Sequence, residues 1–374
     1  MLILTRRDTS LLGQWWWTVD RWTLLAVAVL IFLGGVMVLA ASPPVAERLR
    51  LDSFHFVQRH FLFLGPALAI MLSVSLMSPR GVRRIAAIGF LLAMIGMIGA
   101  LLFGPEIKGA TRWLSLSGIS LQPSEFVKPC FAVLAAWMMA AQKTEDDVPG
   151  NLISAGLLLA VLVVLVQQPD LGMSVIVAAI WSLQIFVAGL SMVWVALLAL
   201  LGVLGAVGAY LTIPHVASRI DRFFDKASGD SYQIDRAMDA FGAGGLTGVG
   251  PGDGIVKEIL PDAHTDFIFA VAGEEFGVAA CLLLLALFAL VTLRGFVRLQ
   301  QEENLFITLA VTGLLAQFGF QAIVNMGVNV DLLPTKGMTL PFVSYGGSSL
   351  MALALGMGMI LSLTRERPGG EGRT

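Results

Sequence analysis

Charged side chains are scarce in this chain: 13% of its 374 residues are Asp, Glu, Lys or Arg, against 57% hydrophobic. A net charge of −2 and the lack of any basic tract argue against nucleic acid as a partner. Cysteine is nearly missing. Cys130 and Cys281 both fall in apolar stretches, which excludes a disulfide framework and reads them as small packing residues. The four histidines, His55, His60, His215 and His264, lack His-x-x-x-His spacing, so no structural metal is expected. No small-residue cleavage site follows a short apolar core near the start, which argues against a signal peptide and for a retained first span. The apolar runs also lack the two-residue alternation of a barrel.

What the chain has instead is hydrophobic length. Mean hydropathy is +0.83, and ten apolar runs approach the ~20 residues a bilayer core requires. They are Trp22–Ala41, Phe61–Met77, Ile85–Phe103, Phe126–Ala141, Leu152–Val166, Met173–Ala188, Met192–Leu211, Phe267–Leu293, Leu305–Met326 and Tyr345–Leu363. Only helices satisfy the backbone in hydrocarbon once a barrel is excluded. The expected fold is all-α: one polytopic membrane domain of ten transmembrane helices, with tails at 1–21 and 364–374. Helices one to seven fill 22–211 and helices eight to ten fill 266–363, separated by a long extracytoplasmic loop at 212–265.

Arg6, Arg7, Arg21, Arg80, Arg83, Arg84, Arg294, Arg298, Arg365 and Arg367 gather in the short connections of one side, which predicts that both termini are cytoplasmic. Trp15, Trp16, Trp17 and Trp22 suit an interfacial belt. The unusual polar motifs lie in the opposite loops, so the working face is expected outside.

In the first outer loop, Arg112 beside Trp113 reads either as an interfacial anchor or as a phosphate fork with a sugar platform. Pro123 suits a helix start. Glu125 and Lys128, one turn apart, read as a pair anchoring that helix, or Lys128 reaches across to Asp266 in a salt bridge. In the longest loop, Ile213 to Phe224 opens an amphipathic region. Ile234, Ala237, Met238 and Phe241 then recur at helical spacing opposite Asp235, Arg236 and Asp239, predicting a helix lying on the membrane surface. Seven glycines between Gly242 and Gly254 read as a mobile hinge, or as backbone amides facing a phosphate. A nucleotide loop is not expected there, since the Gly-Lys-Ser/Thr ending is missing. In the last outer loop, Lys336, Ser344, Tyr345, Ser348 and Ser349 line a wet cavity, or the small residues from Gly346 to Ser349 pack helices. Asp266, Glu274 and Glu275 run into an apolar stretch, where carboxylates are costly and mark function by default. On one continuous helix, Glu274 would lie roughly 12 Å further along than Asp266.

Gly-Ala-x-Arg-Trp at 109–113, Gln-Pro-Ser-Glu at 122–125, Gln-Pro-Asp-Leu-Gly at 168–172, His-Thr-Asp-Phe-Ile at 264–268 and Pro-Phe-Val-Ser-Tyr-Gly-Gly-Ser-Ser at 341–349 together resemble the SEDS family (shape, elongation, division and sporulation). Leu-Pro-Thr-Lys-Gly-Met-Thr-Leu-Pro at 333–341 resembles its division branch rather than its elongation branch.

The resemblance implies a peptidoglycan glycosyltransferase of the bacterial inner membrane that polymerises lipid II at the division septum. The implied partners are lipid II, the nascent glycan strand, a class B penicillin-binding protein, and the division membrane proteins FtsQ, FtsL, FtsB and FtsN. The family's essential acid maps onto Asp266. Transfer from an α-linked pyrophosphate to a β-linked glycan inverts the sugar, so one base suffices. Substrate contacts are expected from Arg112, Trp113, Gln122, Ser124, Glu125, Lys128, His264, Thr265, Lys336, Ser344 and Tyr345. Arg112, Lys128 and Lys336 supply cations for the departing pyrophosphate. Glu274 and Glu275 are expected to be mainly structural. A divalent cation, Mg2+ or Mn2+, is compatible with this chemistry but has no recognisable site. A lipid II flippase or proton-coupled transporter, an elongation polymerase, and a non-catalytic scaffold are the alternatives. The lack of internal repeats and the gathering of charged motifs at one face count against transport.

Overall fold

The computed structural model describes residues 10–107, 109–116, 119–144, 147–212, 217–218, 221, 232–334 and 336–366. All ten apolar runs are helical. After a short helix α1 (Leu11–Thr18), the chain forms α2 (Arg21–Arg48), α3 (His55–Ser75), α4 (Pro79–Phe103), α5 (Pro123–Thr144), α6 (Gly150–Gln167), α7 (Leu171–Val187) and α8 (Met192–Thr212). Then come α9 (Tyr232–Gly244), α10 (Val256–Ile259), α11 (Ile268–Leu299), α12 (Leu305–Asn329) and α13 (Gly347–Leu363). Eight of these, α2 to α6, α8, α11 and α12, are long and apolar enough to cross a membrane. The other two, α7 and α13, have 17 residues each. At 1.5 Å per residue they span about 25 Å of a ~30 Å core. One departure from all-helical structure is a small antiparallel hairpin, β1 (Leu114–Leu116) with β2 (Ile119–Leu121), in the loop between α4 and α5.

Helices α5 and α12 form the centre, the most enclosed of the eight long spans. Around them α4, α6, α7, α11 and α13 pack directly, while α2 and α3 close the bundle against α11 and α13. Small residues let the backbones approach: a side chain on Gly34 would strike the Phe342 carbonyl, and one on Gly358 the Met71 carbonyl. Cys130 and Cys281 are buried and unpaired, as packing residues. Helix α8 has no part of its span buried and lies at the bundle edge. The stretch from Ile213 to Phe224 falls outside the described residues, apart from 217–218 and 221, and so do His215, Arg6, Arg7 and Arg367.

Both ends of the described chain meet at one end of the bundle. Asp20 caps α2 and, almost wholly buried, receives Arg294 at 2.8 Å and Arg298 at 3.1 Å from α11. Arg298 also donates to the Thr364 carbonyl, and Arg365 to Thr18 Oγ1 at 3.0 Å. Burial pushes the Asp20 carboxyl upward, but the hydrogen bonds from Arg294 and Thr23 and the charges of both arginines outweigh it, holding the group below its ordinary range.

At the other end α11 is not a continuous helix. Gly277 sits at φ 72° and ψ −174°, a conformation closed to other residues, and splits the helix after Phe276. The backbone groups released by this break are taken up by the glycine-rich segment. Val278 N–H donates to the Gly245 carbonyl at 3.0 Å, while Val249 and Gly250 N–H donate to the Glu274 and Glu275 carbonyls at 3.0 and 3.1 Å. Gly244 and Gly248 lie so close to α11 that a side chain on either would strike its backbone. Gly245, Gly248, Gly250 and Gly252 take the positive φ expected of this stretch, but the segment is docked on α11, and the Val249 and Gly250 amides bond its carbonyls rather than facing a phosphate. Helix α9 follows the same logic. Ala237 and Ala240 are fully buried and the Phe241 ring packs 5.7 Å from Phe269, so this side of the helix covers α11, while Met238 stays exposed.

Glu274 and Glu275 complete this junction. Glu274 accepts from Val256 N–H at 2.7 Å and Lys257 N–H at 2.9 Å, satisfying the first turn of α10. Glu275 pairs with the Lys257 ammonium, and all three side chains are buried. A Gln at 274 offers one acceptor where two N–H groups point. Glu274→Gln is thus expected to cost about 1–3 kcal/mol of stability, read as a lower thermal midpoint in detergent with turnover per folded molecule retained. Asp20→Asn is expected to lower the midpoint at neutral pH. A depressed folded-state pKa contributes stability above the unfolded value that is lost as pH falls through the folded one. Acidification below the ordinary carboxylate range should therefore destabilise the parent chain more than Asp20→Asn, as compared by melting curves across pH.

Candidate active site

The expected site residues converge at the end of the bundle opposite the termini, where α5, α7 and α11 begin and the 330–346 loop joins α12 to α13. Pro123 starts α5 as expected, with Glu125 in its first turn. Lys128 is fully buried one turn further on and contacts Glu125 at 2.8 Å. Its ammonium also donates to Gln321 Oε1 at 2.9 Å from α12. The anticipated salt bridge to Asp266 is therefore replaced by a closer carboxylate on Lys128's own helix and an amide on α12. Gln321 in turn donates to the Thr339 carbonyl at 3.1 Å, tying the cation to the 330–346 loop.

Arg112 is tied to the 168–170 turn. Its Nε donates to the Gln168 carbonyl at 3.0 Å and its Nη2 to the Pro169 carbonyl. Its Nη1 lies 3.7 Å from Asp170, the buried cap of α7. Gln168 anchors the same turn by donating to the Met97 carbonyl at 2.9 Å. Trp113, beside Arg112, is half-buried. Gln122 and Ser124 flank Pro123: Gln122 N–H donates to Ser348 Oγ at 3.0 Å, and its side chain donates to Ser124 Oγ at 3.2 Å.

Lys336 behaves differently. Its stem crosses Gly172, where any side chain would collide with it, and its ammonium stands 3.5 Å from Asp170 with no hydrogen-bond partner. Burial lowers its pKa to about 8. Asp170 and Glu125 oppose that shift, while Lys128 and Arg112 reinforce it, which places all five charges in one electrostatic neighbourhood. Asp266 lies across the adjacent residue: a Cβ on Gly337 would sit 3.0 Å from its Oδ2. The acid is half-buried and precedes α11, which starts at Ile268, so Asp266 and Glu274 do not share one continuous helix.

The 264–266 backbone is held by the loop opposite. Ser344 Oγ donates to the Thr265 carbonyl at 2.5 Å and accepts from Leu340 N–H at 2.8 Å, and Tyr345 N–H donates to the His264 carbonyl at 2.9 Å. The His264 and Tyr345 rings pack with Phe56. Burial depresses the His264 pKa to about 4, so its imidazole is neutral near pH 7, and burial raises that of Tyr345.

Besides Asp170, which the 168–172 motif contains without a role assigned to it, residues not singled out from the sequence carry much of this geometry: Gln321, Asn325 and Asn329. Their signal was present. Gln317, Gln321, Asn325 and Asn329 recur every fourth residue, a stripe of amides along one face of an apolar span. Among the described residues no three His, Cys, Asp or Glu side chains converge to hold a metal ion. Glu274 and Glu275 are committed to Val256 and Lys257 and do not join Asp266.

Comparison with known proteins fits this geometry. The family described as cell cycle protein, which groups FtsW, RodA and SpoVE, matches residues 21–368. A probable peptidoglycan glycosyltransferase FtsW from Caulobacter vibrioides is 42% identical over 98% of this chain and 94% of its own length. One from Thiomicrospira cyclica is 36% identical over 93% of this chain and 92% of its own. Among solved structures, a chain from work on the coordination of polymerization and crosslinking by a peptidoglycan synthase complex aligns with TM-score 0.77 and 28% identity, covering 92% of this chain and 97% of that one. The rod shape determining protein RodA of Thermus thermophilus aligns with TM-score 0.67 and 27% identity, covering 93% and 97%. This chain belongs to the FtsW, RodA and SpoVE family of multi-pass membrane proteins.

Proposed function

We propose that this protein is a peptidoglycan glycosyltransferase that polymerises lipid II into glycan strands at the division septum. In this reading the termini are cytoplasmic and the site faces outward. The chain works beside a class B penicillin-binding protein, as the likeness to a chain of a peptidoglycan synthase complex suggests. The division role rests on the relatives named FtsW.

The observation that carries the mechanism is the contrast among the three candidate cations. Arg112 is bonded to backbone carbonyls and Lys128 to Glu125 and Gln321, whereas Lys336 has only a 3.5 Å ion contact and no hydrogen bond. Its three N–H donors are the ones available to a pyrophosphate oxygen. Asp266, beside Gly337, is the carboxylate placed to take the proton of the acceptor's 4-hydroxyl as it attacks the donor's anomeric carbon. The sugar–pyrophosphate bond breaks with inversion, and the lipid pyrophosphate departs toward Lys336. Asp170 holds that ammonium near the site while tethering the Arg112 loop.

A transport reading draws on the break in α11, since discontinuous helices supply ion sites in transporters. Here the groups freed by the break are consumed by residues 245–250 instead of facing a substrate.

Asp266→Asn and Asp266→Ala are expected to abolish glycan synthesis from purified lipid II, scored by chain length on gels, while leaving the melting curve unchanged. Full polymerisation by Asp266→Asn would sink the general-base role. Lys336 is protonated below about pH 8 and loses its charge above, so activity should decline on the alkaline side with a midpoint near that value. Lys336→Arg, charged at every accessible pH, should lack that decline even if its rate is lower. An alkaline limb identical in both proteins would remove Lys336 from the leaving-group role.

A further inference from the structure

We infer that Asn325 and Asn329 are positioning residues that set the place of the Asp266 carboxylate by gripping its backbone carbonyl. The inference rests on the reading of Asp266 as the base. Asp266 stands two residues before α11. In a continuing helix its carbonyl would accept from Ala270 N–H. That N–H instead bonds the Phe267 carbonyl at 3.0 Å and Asn329 Oδ1 at 3.1 Å. The Asp266 carbonyl accepts from Asn325 Nδ2 and Asn329 Nδ2, both at 2.8 Å. The Asn329 amide is thus inserted into a gap in the helical ladder, donating to the group on one side and accepting from the group on the other.

Asn325 does a second thing with the same nitrogen: it donates to the Met338 carbonyl at 2.6 Å. One amide therefore ties the acid-bearing segment to the loop that carries Lys336 and Gly337. Asn329 braces the pair by donating to the Asn325 carbonyl at 2.9 Å. At the other side of the residue, Asp266 N–H donates to the Asp262 carbonyl at 3.1 Å. With both backbone polar groups held, the place of Asp266 Cα is fixed, and the carboxylate's position reduces to its own side-chain torsions. Neither asparagine is exposed: Asn325 and Asn329 have 1% and 0% of their surface accessible, so they act through Asp266 rather than on substrate.

Their spacing of four residues explains why two are needed. Residues at i and i+4 lie one above the other on a helix, so both amides of α12 reach one carbonyl from adjacent turns. A backbone held this way tolerates little drift, and misplacement of a reacting group by about 1 Å is enough to lose about a hundredfold in rate.

The test uses the purified full chain with its class B penicillin-binding protein and lipid II. Asn325→Ala, Asn329→Ala and Asn329→Leu are compared with Asp266→Ala. The leucine keeps close to the shape of Asn329 without its donor or acceptor, so it remains informative where the alanine fails to fold. The expected result is a kcat per folded molecule lower by about tenfold to a hundredfold for each asparagine variant, with KM for lipid II within about twofold and a melting midpoint that falls modestly, as for any lost buried hydrogen bond, without collapsing. Asn329→Gln, which retains a donor and an acceptor, should recover part of the rate. If the asparagine variants keep the parent kcat while Asp266→Ala is inactive, the positioning role falls and the base reading stands. Losses that track a collapsed melting midpoint or a raised KM also overturn it, in favour of a structural role. Activity in Asp266→Ala itself removes the base reading and this inference together.

Discussion

Backbone that leaves the helical ladder inside a membrane protein must find its hydrogen bonds within the protein, and the segment from Asp262 to Gly277 leaves it twice. The first departure is at Asp266, where two α12 amides and the 338–345 loop receive the backbone. The second is at Gly277, where residues 245–250 pair with both sides of the break. Between them lies a nine-residue rod, residues 268–276, anchored at each end. Much of the architecture at this end of the bundle follows from keeping this rod satisfied: the glycine-rich segment, the docking of α9, the buried pair of Glu275 and Lys257, and the amide stripe on α12.

That constraint also sorts the charges. A buried ion needs a partner, and most of those present have one close at hand. Lys128 finds Glu125 one turn away, Arg112 finds the carbonyls of the 168–170 turn, and Glu275 finds Lys257. Lys336 keeps its hydrogen-bond donors, across the main chain at Gly337 from the half-buried Asp266. Spending most of the polar groups on structure is what holds these two in place, because a site built in irregular backbone has no helix to fix it.

The two ends of the bundle use charge in different ways. At the terminus-bearing end, Asp20 draws Arg294 and Arg298 together at a rim, with the arginines a quarter to a third exposed. This clamp joins α2 to the far end of α11. The same helix therefore carries a plain ion-pair anchor at one end and the satisfied break at the other.

Sequence alone determined the class of the protein, because hydrophobic length is a local property: each apolar run is helical whatever its neighbours do. The five polar motifs also picked out residues that the fold gathers at one end of the bundle, since their residue types are read along the chain. Partners on other helices were not legible, because they depend on which helices become neighbours. Lys128 is the instructive residue. Its pairing with Glu125 was one of the readings the three-residue spacing allowed, but its bond to Gln321 depends on α12 lying against α5. The glycines from 242 to 254 read as freedom of the backbone, yet that same freedom lets the chain lie against a broken helix at a distance no side chain permits. Gly277 looks like any other glycine in an apolar span, and only the packing of residues 245–250 across it shows why the helix stops there: the hydrogen bonds it surrenders are available from a segment some thirty residues away in the chain.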